Sequence, residues 1–344
     1  MTDKSRRHRN IPVFIPHLGC PHDCIFCNQR TISGSKKFDR SSVVSVIESV
    51  LETISPDDET EIAFFGGSFT GIDRGDMIYL LDTAQKYVDD GRVESIRLST
   101  RPDYIDNEIL DILAHYSVKT IELGIQSLSN EVLRVCERGH SAECAINACK
   151  MVKEANFLLI GQMMVGLPSS TAEDERATAE EICRLGADGA RIYPTVVLNS
   201  TALHKMASEG KYTPLSDEEA VNRTADLIEI FDKYDIPVIR IGLCASEELI
   251  DSVGVGEFNE AIGDMAQSEA FCRRICQALD EVKYDIQGKY ITIFCPKGCT
   301  SKVSGHNKCN KNRIISNYKI KNVKIIENDT ISGYNIKIGY NKTR

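Results

Sequence analysis

Three cysteines near the N-terminus are the residues of this 344-residue chain whose types and spacing most directly indicate chemistry. Cys20, Cys24 and Cys27 follow the pattern C-x3-C-x2-C. A structural zinc site takes four ligands, and a disulfide framework takes an even number of cysteines in a secreted chain. An odd triplet therefore indicates a cofactor that uses three protein thiolates and leaves one coordination position open.

A [4Fe–4S] cluster fits that description, because it has four corners that are usually held by cysteine thiolates. Three thiolates leave one iron for a small chelating ligand, which favours catalysis over electron storage. Zinc with His17 or His22 as the fourth ligand is one alternative, and free thiols are another. The zinc alternative needs a histidine in or beside a tight cysteine loop, whereas common zinc signatures have two separated pairs.

The elements that must position these cysteines are βα units, because short apolar runs alternate with amphipathic stretches along most of the chain. The predicted strands are Ile11–Ile15, Ile62–Phe65, Ser95–Ser99, Thr120–Leu123, Leu158–Met164, Gly189–Tyr193 and Pro237–Ile241. The predicted helices between them are Ser41–Ile54, Asp76–Val88, Asn107–His115, Ala142–Glu154, Thr171–Leu185 and Asp217–Lys233. An N-terminal signal, Ser216-Asp217-Glu218-Glu219, introduces the last helix.

Polar or glycine-rich clusters follow the second to fifth predicted strands, and they read GGSF, STRPD, GIQS and VGLP. Sites spread over the carboxyl ends of successive strands favour a barrel, whose loops converge on one mouth. A doubly wound sheet would place its site at one switch point. The predicted fold is therefore α/β, a partial or full TIM-type (β/α) barrel, with the cysteine triplet in the first βα loop at its mouth.

The charge of the chain is strongly asymmetric. Residues 281–344 contain 13 Lys/Arg against 4 Asp/Glu, a balance of +9, whereas residues 1–280 sum to −18. A basic unit on an acidic body is typical of proteins that bind nucleic acid. A solvated basic surface is the alternative.

The alternation of predicted strands and helices also ends at this place, after a predicted helix at Glu269–Asp280. Predicted strands at Lys289–Phe294 and Tyr334–Ile338 flank the polar, basic segment Lys297–Lys311. The sequence therefore predicts two domains, a barrel over residues 1–280 and a small basic α+β domain over residues 281–344.

Two features of the small domain concern ligands. Its segment Ser301–Asn312, SKVSGHNKCNKN, resembles the glycine loop of a KH-type RNA-binding unit, although GHNK departs from the GxxG form. Cys295, Cys299 and Cys309 have the spacing C-x3-C-x9-C. A second metal site would need a further ligand such as His306, and incidental thiols are the alternative.

The stretch CPHDCIFC, with the aromatic Phe26 just before its last cysteine, resembles the signature of radical S-adenosylmethionine (SAM) enzymes. The resemblance implies that Cys20, Cys24 and Cys27 hold a [4Fe–4S] cluster whose open iron chelates SAM, with Phe26 among the cofactor-binding residues. It also implies reductive cleavage of SAM to a 5′-deoxyadenosyl radical that abstracts hydrogen from a shielded substrate. The electron would come from a donor of the flavodoxin or ferredoxin type.

In that family a glycine-rich stretch after the second strand binds the methionyl amino group of SAM. The resemblance assigns this role to Gly66, Gly67 and Ser68, because adjacent glycines let the backbone approach a ligand closely. Ser68 stands where the family's common form has glutamate, so the backbone carbonyls are expected to matter more here. A plain turn is the alternative.

Other strand ends offer further groups for SAM. Arg101 and Arg138 are candidates to bind a carboxylate, although Arg101 could instead pair with Asp103.

Gln126 and Ser127 offer neutral hydrogen-bonding side chains for ribose or methionyl groups. The apolar backbone at Val165 and Gly166 could flank the adenine ring. The residue that acts on the substrate itself is not assigned.

Several segments together make the resemblance more specific. They are similar to the radical domain of the Elongator catalytic subunit and its bacterial relatives over about residues 9–245, and they read GCPHDCIFCNQRTISG, FFGGSFTGI, LSTRPDYI, ELGIQSL with RGH, GQMMVGLP, RIYPTVVL, GKYTPLS and VIRIGL. This resemblance implies modification of the wobble uridine of tRNA at its C5 carbon. The segment 281–344 is too short for the Elongator acetyltransferase domain. A separate protein is therefore expected to supply the acyl donor, or the reaction uses another donor or none.

Thirteen cysteines and a polar, basic N-terminus without an apolar signal region predict a reducing cytoplasm. No apolar run of the sequence has the length of a membrane span. The leading hypothesis is a radical SAM enzyme that acts on RNA, above all tRNA, and docks it through Arg6, Arg7, Arg9 and the basic C-terminal unit. The alternatives are the same chemistry on a small molecule or peptide, and a zinc-bearing RNA-binding protein without catalysis.

Overall fold

The computed structural model describes residues 7–15, 24–28, 39–55, 57–256, 258–282 and 285–340. Arg6, His17, Cys20 and His22 lie outside these ranges. The chain divides into two compact units. The first contains residues 1–214 and 244–258, and the second contains residues 215–243 and 259–344.

The first unit is built on six parallel strands that pair in the order of the chain. They are β1 His8–Ile15, β2 Glu59–Gly66, β3 Ser95–Thr100, β4 Val118–Gln126, β5 Leu158–Val165 and β6 Gly189–Pro194. An order without reversal is that of a (β/α) barrel, because a doubly wound sheet changes direction at its switch point. The predicted barrel-type α/β fold is confirmed.

In the described residues the helices are α1 Val43–Leu51, α2 Arg74–Asp89, α3 Asn107–Ala114, α4 Asn130–Val135, α5 Ala142–Glu154, α6 Ala172–Arg184, α7 Ala202–Ser208, α8 Asp217–Lys233, α9 Glu247–Asp251, α10 Ile262–Asp280, α11 Thr300–Ser304 and α12 Cys309–Tyr318. The six helices predicted between the strands are confirmed with ends that differ by up to three residues, and α10 begins seven residues before the predicted Glu269. The short helices α4, α7, α9, α11 and α12 were not predicted.

Local side-chain caps explain where two of the helices begin. The hydroxyl of Thr171 accepts a hydrogen bond from the backbone N–H of Asp174 at 3.1 Å, and the Asp174 carboxylate accepts from the backbone N–H of Thr171 at 2.9 Å. This reciprocal capping box opens α6. Ser216 caps α8 in the predicted manner, since its hydroxyl accepts from the backbone N–H of Glu219 at 3.2 Å.

The helices of the first unit cover one face of the sheet. On β5, a Cβ added to Gly161 would lie 2.7 Å from a methyl carbon of Ile182 in α6, so a glycine is required for the strand and helix to approach. Successive strand residues point to opposite faces. Gln162 and its cross-strand neighbours therefore project from the face that the helices leave uncovered.

The first unit also contains a small strand pair that the sequence analysis did not predict. β7, Val197–Leu198, pairs antiparallel with β9, Val253–Val255. Gly254 packs there against His204, whose side chain would lie 2.5 Å from an added Cβ. This glycine therefore serves close packing within the first unit.

The second unit contains β8, Val238–Ile241, and a separate three-stranded sheet. In that sheet β10, Tyr290–Cys295, lies between a parallel β11, Asn322–Glu327, and an antiparallel β12, Lys337–Tyr340. The predicted strand over Lys289–Phe294 is confirmed within one residue. The predicted strand at Tyr334–Ile338 begins three residues later than expected, and β11 was missed.

The second compact unit extends beyond the predicted 281–344 domain, because it includes α8 and α10. Residues of α10 share one hydrophobic core with the small sheet and its helices; these buried residues include Phe271, Ile275, Leu279, Ile291, Ile293, Val303, Ile314 and Val323. Residue 280 stays the predicted boundary at which the basic α+β segment begins. No helix in the described ranges is both long enough and apolar enough to cross a membrane.

Candidate functional site

Two of the three clustered cysteines lie in a tight turn at the carboxyl edge of the sheet. The backbone N–H of Cys27 donates to the carbonyl of Cys24 at 2.9 Å. The intervening Ile25 donates to the carbonyl of Cys136 at 3.2 Å and accepts from the backbone N–H of Leu203 at 2.8 Å. The turn is thereby fixed to two other segments of the first unit, which holds the buried thiol of Cys24 in place.

Phe26, in the same turn, is half-buried and packs against an apolar cluster of the first unit that includes Val132, Leu167 and Val197. Cys20, the third cysteine, lies outside the described residues, so the complete ligand triplet stays a prediction.

A buried guanidinium faces the thiol of Cys24. Arg138 is 7% exposed, and its Nη1 lies 3.4 Å from Sγ of Cys24 while its Nη2 donates to the carbonyl of Gly124 at 2.6 Å. In the described part of the chain no carboxylate pairs with Arg138, and its Nε is buried without a partner. A buried charge without a counter-ion is costly, so this geometry is suited to a negatively charged group beside Cys24.

Gly124 makes this arrangement possible, and the sequence analysis missed it. A Cβ added at Gly124 would lie 2.9 Å from Nη2 of Arg138 and 2.9 Å from Nε2 of Gln126. The absence of a side chain on β4 therefore leaves room for the guanidinium. The sequence placed Gly124 just after the predicted strand, whereas β4 continues to Gln126.

Arg101 has a different environment from that of Arg138. Its Nε and Nη2 both donate to the carboxylate of Asp103 at 2.9 Å, and Nη2 also donates to the carbonyl of Arg138 at 2.6 Å. Nη1 lies 3.8 Å from Sγ of Cys24. The pairing with Asp103, which the sequence left as an alternative, is the one that the structure contains.

The glycine pair after β2 lies against the end of β1. Gly66 has φ of +106°, and an added Cβ would lie 2.8 Å from the carbonyl oxygen of Ile15. The backbone N–H of Gly67 donates to that same oxygen at 2.8 Å. Gly66 is thus required for the close approach of two strand ends, and Gly67 adds a backbone hydrogen bond to the same carbonyl.

Ser68 connects two of the strand-end loops. Its hydroxyl is fully buried, accepts from the backbone N–H of Arg101 at 2.9 Å and lies 2.9 Å from Oγ1 of Thr100. Ser68 therefore connects the loop after β2 to the loop after β3.

The remaining predicted residues lie at the ends of β4 and β5. Gln126 has φ of +65°, at a register shift in the pairing of β4 with β5. Ser127 is buried and its hydroxyl accepts from the backbone N–H of Ser129 at 3.1 Å. Sequence order after successive strands thus does bring these residues to one edge of the sheet.

Val165 and Gly166 already use their backbone polar groups within the protein. The carbonyl of Val165 accepts two hydrogen bonds from Thr195, at 2.9 and 2.7 Å. The N–H of Gly166 donates to Glu175 at 2.7 Å, and its carbonyl accepts from the hydroxyl of Tyr212 at 2.6 Å. The predicted contact with adenine would therefore be apolar.

A row of ionic and polar side chains crosses the uncovered face of the sheet, which we call the inner face. It consists of Glu61, Arg97, Glu122, Gln162 and Arg191, one from each strand from β2 to β6. The carboxylate of Glu122, which is 0% exposed, accepts from Arg97 at 2.9 Å, from Arg191 at 2.8 Å and from Gln162 at 2.8 Å. Arg97 also pairs with Glu61 at 2.8 Å.

Burial and charge shift the pKa values around these groups. Burial alone would raise the pKa of Glu61, but the charge of Arg97 and hydrogen bonds from Ser95 and His8 outweigh it and leave the pKa below its usual range. Burial, aided by the charge of the nearby Arg138, lowers the pKa of His140 to about 4. His140 is therefore neutral at physiological pH.

The cysteines of the second unit are the predicted candidates for a second metal site. Within the ranges that the structure describes, no three Cys, His, Asp or Glu side chains lie close enough together to hold a metal ion. Cys295 is buried in the core of the unit, whereas Cys309 is exposed. Whether Cys295, Cys299 and Cys309 bind a metal stays open, as the sequence left it.

The surroundings of Cys24 fit an anionic iron–sulfur group. Nη1 of Arg138 and Nη1 of Arg101 lie 3.4 and 3.8 Å from its sulfur. Arg101 is already paired with Asp103, whereas the described residues supply no carboxylate for the buried Arg138, which therefore needs a counter-charge. In agreement with this, the chain matches the radical SAM superfamily over residues 14–182 and the Radical_SAM C-terminal domain over residues 187–270. The chain belongs to the radical SAM superfamily of enzymes.

Within that superfamily its relatives include Elongator-type proteins, as the sequence predicted. It is 27% identical over 268 residues to the tRNA uridine(34) acetyltransferase of Methanocaldococcus infernus, covering 69% of this chain and 49% of that protein. It is 27% identical over 224 residues to Elongator complex protein 3 of Schizosaccharomyces pombe, covering 62% of this chain and 41% of that one. The chain thus spans less than half the length of these two relatives.

The fold matches a solved structure of the same group. The archaeal Methanocaldococcus infernus Elp3 with an N-terminal deletion superimposes with a TM-score of 0.63 at 21% identity, over 80% of this chain and 64% of that one. The barrel-type architecture is therefore shared with that protein.

Proposed function

We propose that this chain is a radical SAM enzyme that modifies a base of RNA, with the wobble uridine of tRNA as its substrate and the C5 carbon of that base as the position modified. The observation that carries the radical half of the proposal is the buried guanidinium of Arg138, which has no carboxylate partner in the described residues and lies 3.4 Å from Sγ of Cys24.

In this proposal Cys20, Cys24 and Cys27 hold a [4Fe–4S] cluster, and Arg138 offsets its negative charge. When bound, the cluster supplies the electron that cleaves SAM to a carbon-centred radical.

SAM would lie along the strand ends. The backbone of Gly66 and Gly67 would face its amino group, Gln126 its ribose or methionyl group, and the apolar surface at Val165 its adenine. Ser68 and Ser127 would act by fixing the loops, since their hydroxyls already bond within the protein.

The inner face offers a surface for a planar base. The ring of Phe65 lies below the guanidinium of Arg191, whose central carbon is 5.2 Å from the ring centroid. The half-exposed ring of Phe14 is 6.4 Å from that of Phe65, and Nε of Arg191 is buried without a partner among the described residues. Aromatic rings and guanidinium planes are the groups on which unpaired RNA bases stack.

The RNA half of the proposal rests on the relatives named as acting on tRNA uridine 34 and on the basic C-terminal segment. The reaction would take place in the cytoplasm and would need an electron donor of the flavodoxin or ferredoxin type.

The test is anaerobic reconstitution of the full chain with iron and sulfide, followed by assay of SAM cleavage with and without bulk tRNA and mass spectrometry of the tRNA nucleosides. We expect about four irons per chain, cleavage of SAM and a new modified uridine. Cys24→Ala should remove iron and cleavage, whereas the exposed Cys244→Ala should leave both unchanged.

Two outcomes would decide against this function. A protein that binds zinc and takes up no iron would support the non-catalytic alternative. A protein that cleaves SAM but leaves every tRNA nucleoside unchanged would support a small molecule or peptide as substrate.

A further inference from the structure

A groove in the second unit runs between the small sheet and its two helices. It is far in sequence from the residues proposed to hold the cluster and SAM. Its volume is about 430 Å³, and its lining includes Tyr290, Ile291, Val323, Lys308, Lys311 and Lys324. This volume is within the range of roughly 300–1,000 Å³ that is usual for ligand clefts. One part of the lining is apolar and aromatic, and the other is cationic.

The cationic part comes from both walls of the groove. Lys308 and Lys311 belong to the junction of α11 with α12, and Lys324 lies on β11. Within the described residues none of the three lysines makes an ion pair with a carboxylate. The charge of this groove is therefore available to an anionic ligand.

The junction of α11 and α12 is a sharp turn that requires a glycine and two left-handed residues. Gly305 has φ of +77°, and an added Cβ would lie 2.5 Å from Sγ of Cys309 and 2.9 Å from the backbone nitrogen of Asn310. Asn307 and Lys308 both adopt left-handed backbone conformations, with φ of +49° and +63°. The turn brings the exposed side chain of Lys308 to the lining of the groove.

A buried polar contact holds this turn in place. The side-chain amide of Asn310, which is 4% exposed, donates to the carbonyl of Ser268 at 2.8 Å and to its hydroxyl at 2.9 Å. The Ser268 hydroxyl in turn donates to the carbonyl of Lys302 at 2.8 Å. Both helices of the turn are thus attached to α10, so the groove is preformed.

The apolar part of the groove indicates an unpaired nucleic acid strand. Tyr290 is 40% exposed, and Nζ of Lys321 lies 5.1 Å from the centroid of its ring. Ile291 and Val323 also line the groove, although both are almost fully buried. A duplex presents phosphates and ribose to such a surface, whereas a single strand also presents base faces that can stack on an aromatic ring.

We propose that this groove binds a single-stranded segment of RNA, with phosphates at Lys308, Lys311 and Lys324 and a base against Tyr290. The proposal deepens the proposed function, because it rests on RNA being the substrate and assigns a second contact to that RNA away from the radical site. An anticodon loop is an RNA in which bases near the modified position are unpaired.

The test uses the full chain and a fluorescein-labelled single-stranded RNA octamer of mixed sequence, with the same octamer as a duplex for comparison. We expect the single strand to bind more tightly than the duplex. Lys308→Glu should weaken binding of the single strand at least tenfold. Lys337→Glu is the matched control, since Lys337 is also exposed but lies on β12, at the other edge of the sheet, and should change affinity less than twofold.

A second variant tests whether base stacking contributes to RNA binding in addition to the charge of the lysines. Tyr290→Ala retains every lysine and should weaken binding of the single strand about fivefold or more, because stacking of a base on an aromatic ring is lost. The affinity for the duplex should not change. The thermal unfolding midpoint of each variant shows that the second unit is folded.

Equal effects of Lys308→Glu and Lys337→Glu, or tighter binding of the duplex, would overturn the groove as a single-strand site. Tighter binding of a polyglutamate peptide than of the octamer would do the same and would indicate an acidic protein partner. SAM cleavage by the wild-type protein is measured in parallel. Cleavage without groove binding rejects this inference alone, and groove binding without cleavage rejects the proposed function alone.

Discussion

Arg138 and Cys24 are 114 positions apart in sequence, and in the structure Nη1 of the arginine lies 3.4 Å from Sγ of the cysteine. The arginine reaches this position because β4 carries a glycine, Gly124, below it. Hydrogen bonds to sulfur ligands are among the factors that set the reduction potential of an iron–sulfur cluster. Arg138 therefore links the cysteine turn to the interior of the sheet.

The first prediction concerns this contact. Arg138→Lys should retain iron in the reconstituted protein but lower the reduction potential of the cluster by roughly 60 mV, because a charge-assisted hydrogen bond contributes about 1.5 kcal/mol and a tenfold change in a one-electron couple is about 59 mV. A redox titration followed by electron paramagnetic resonance measures this shift. Arg134→Lys, which alters an exposed pair with Glu131, is the control. An unchanged potential in Arg138→Lys would show that this contact does not act on the cluster.

The second prediction concerns the close approach of β1 and β2. Gly66→Ala should lower the free energy of unfolding by more than about 2 kcal/mol, because positive φ and a 2.8 Å contact with the Ile15 carbonyl both oppose a side chain. Gly91→Ala has a similar sign of φ but nothing within 4 Å of the added Cβ, so it should cost about 1 kcal/mol. Urea unfolding of the metal-free protein gives both values, and equal costs would contradict the steric argument.

The third prediction concerns the ionic row of the inner face. Glu122→Gln should destabilise the protein by about 3–5 kcal/mol, because it leaves the buried guanidinium groups of Arg97 and Arg191 without their shared counter-charge. Glu131→Gln removes an exposed pair and should leave the denaturation midpoint unchanged. If both variants unfold at the wild-type denaturant concentration, the row does not stabilise the sheet.

The fourth prediction is a pH dependence that arises from His140. Burial lowers its pKa to about 4 in the folded state, whereas an unfolded histidine titrates near 6.5. Between these values the unfolded chain binds a proton that the folded chain excludes, so stability falls as pH decreases from about 6.5 towards 4.

Between pH 7.5 and pH 5 this effect should cost about 2 kcal/mol. His140→Gln should remove that part of the pH dependence, whereas the exposed His115→Gln should retain it. Urea unfolding at the two pH values tests the difference, and the same pH dependence in both variants would exclude His140 as its source.

The fifth prediction is a salt dependence of RNA binding. Three phosphate contacts by lysines to a single strand should give a slope of about −2 in a plot of log affinity against log salt concentration. Lys311→Ala should make that slope less steep by about 0.7, whereas Lys337→Ala should not alter it. Fluorescence anisotropy with the RNA octamer supplies the affinities, and an affinity that is constant across the salt series would rule out electrostatic docking.

Much of the fold follows from local patterns in the sequence. Alternation of apolar runs with amphipathic stretches predicted the six strands of the first unit, and the cap at Ser216 placed the start of α8 correctly. The strand β11, NVKIIE, was missed although Val323 and Ile325 alternate with the polar Asn322 and Lys324.

Pairing of side chains could not be predicted in the same way. Arg101 follows a strand and Arg138 follows a short helix, and the sequence made both arginines candidates to bind a carboxylate. In the structure Arg101 is neutralised by Asp103, two residues away, whereas Arg138 faces Cys24 across the unit. Ser68 likewise acts as a tie between loops, which its position in GGSF does not show.

The sequence by itself determined the cysteine turn, the order of the βα units and the basic C-terminal segment, because spacing and periodicity along the chain encode local structure. The tertiary structure alone decided which buried charges have partners. It joined Glu122 to guanidinium groups from β3 and β6, and it left Arg138 beside Cys24 without a carboxylate in the described residues. Such pairings depend on register between strands that are distant in sequence, and no local pattern records that register.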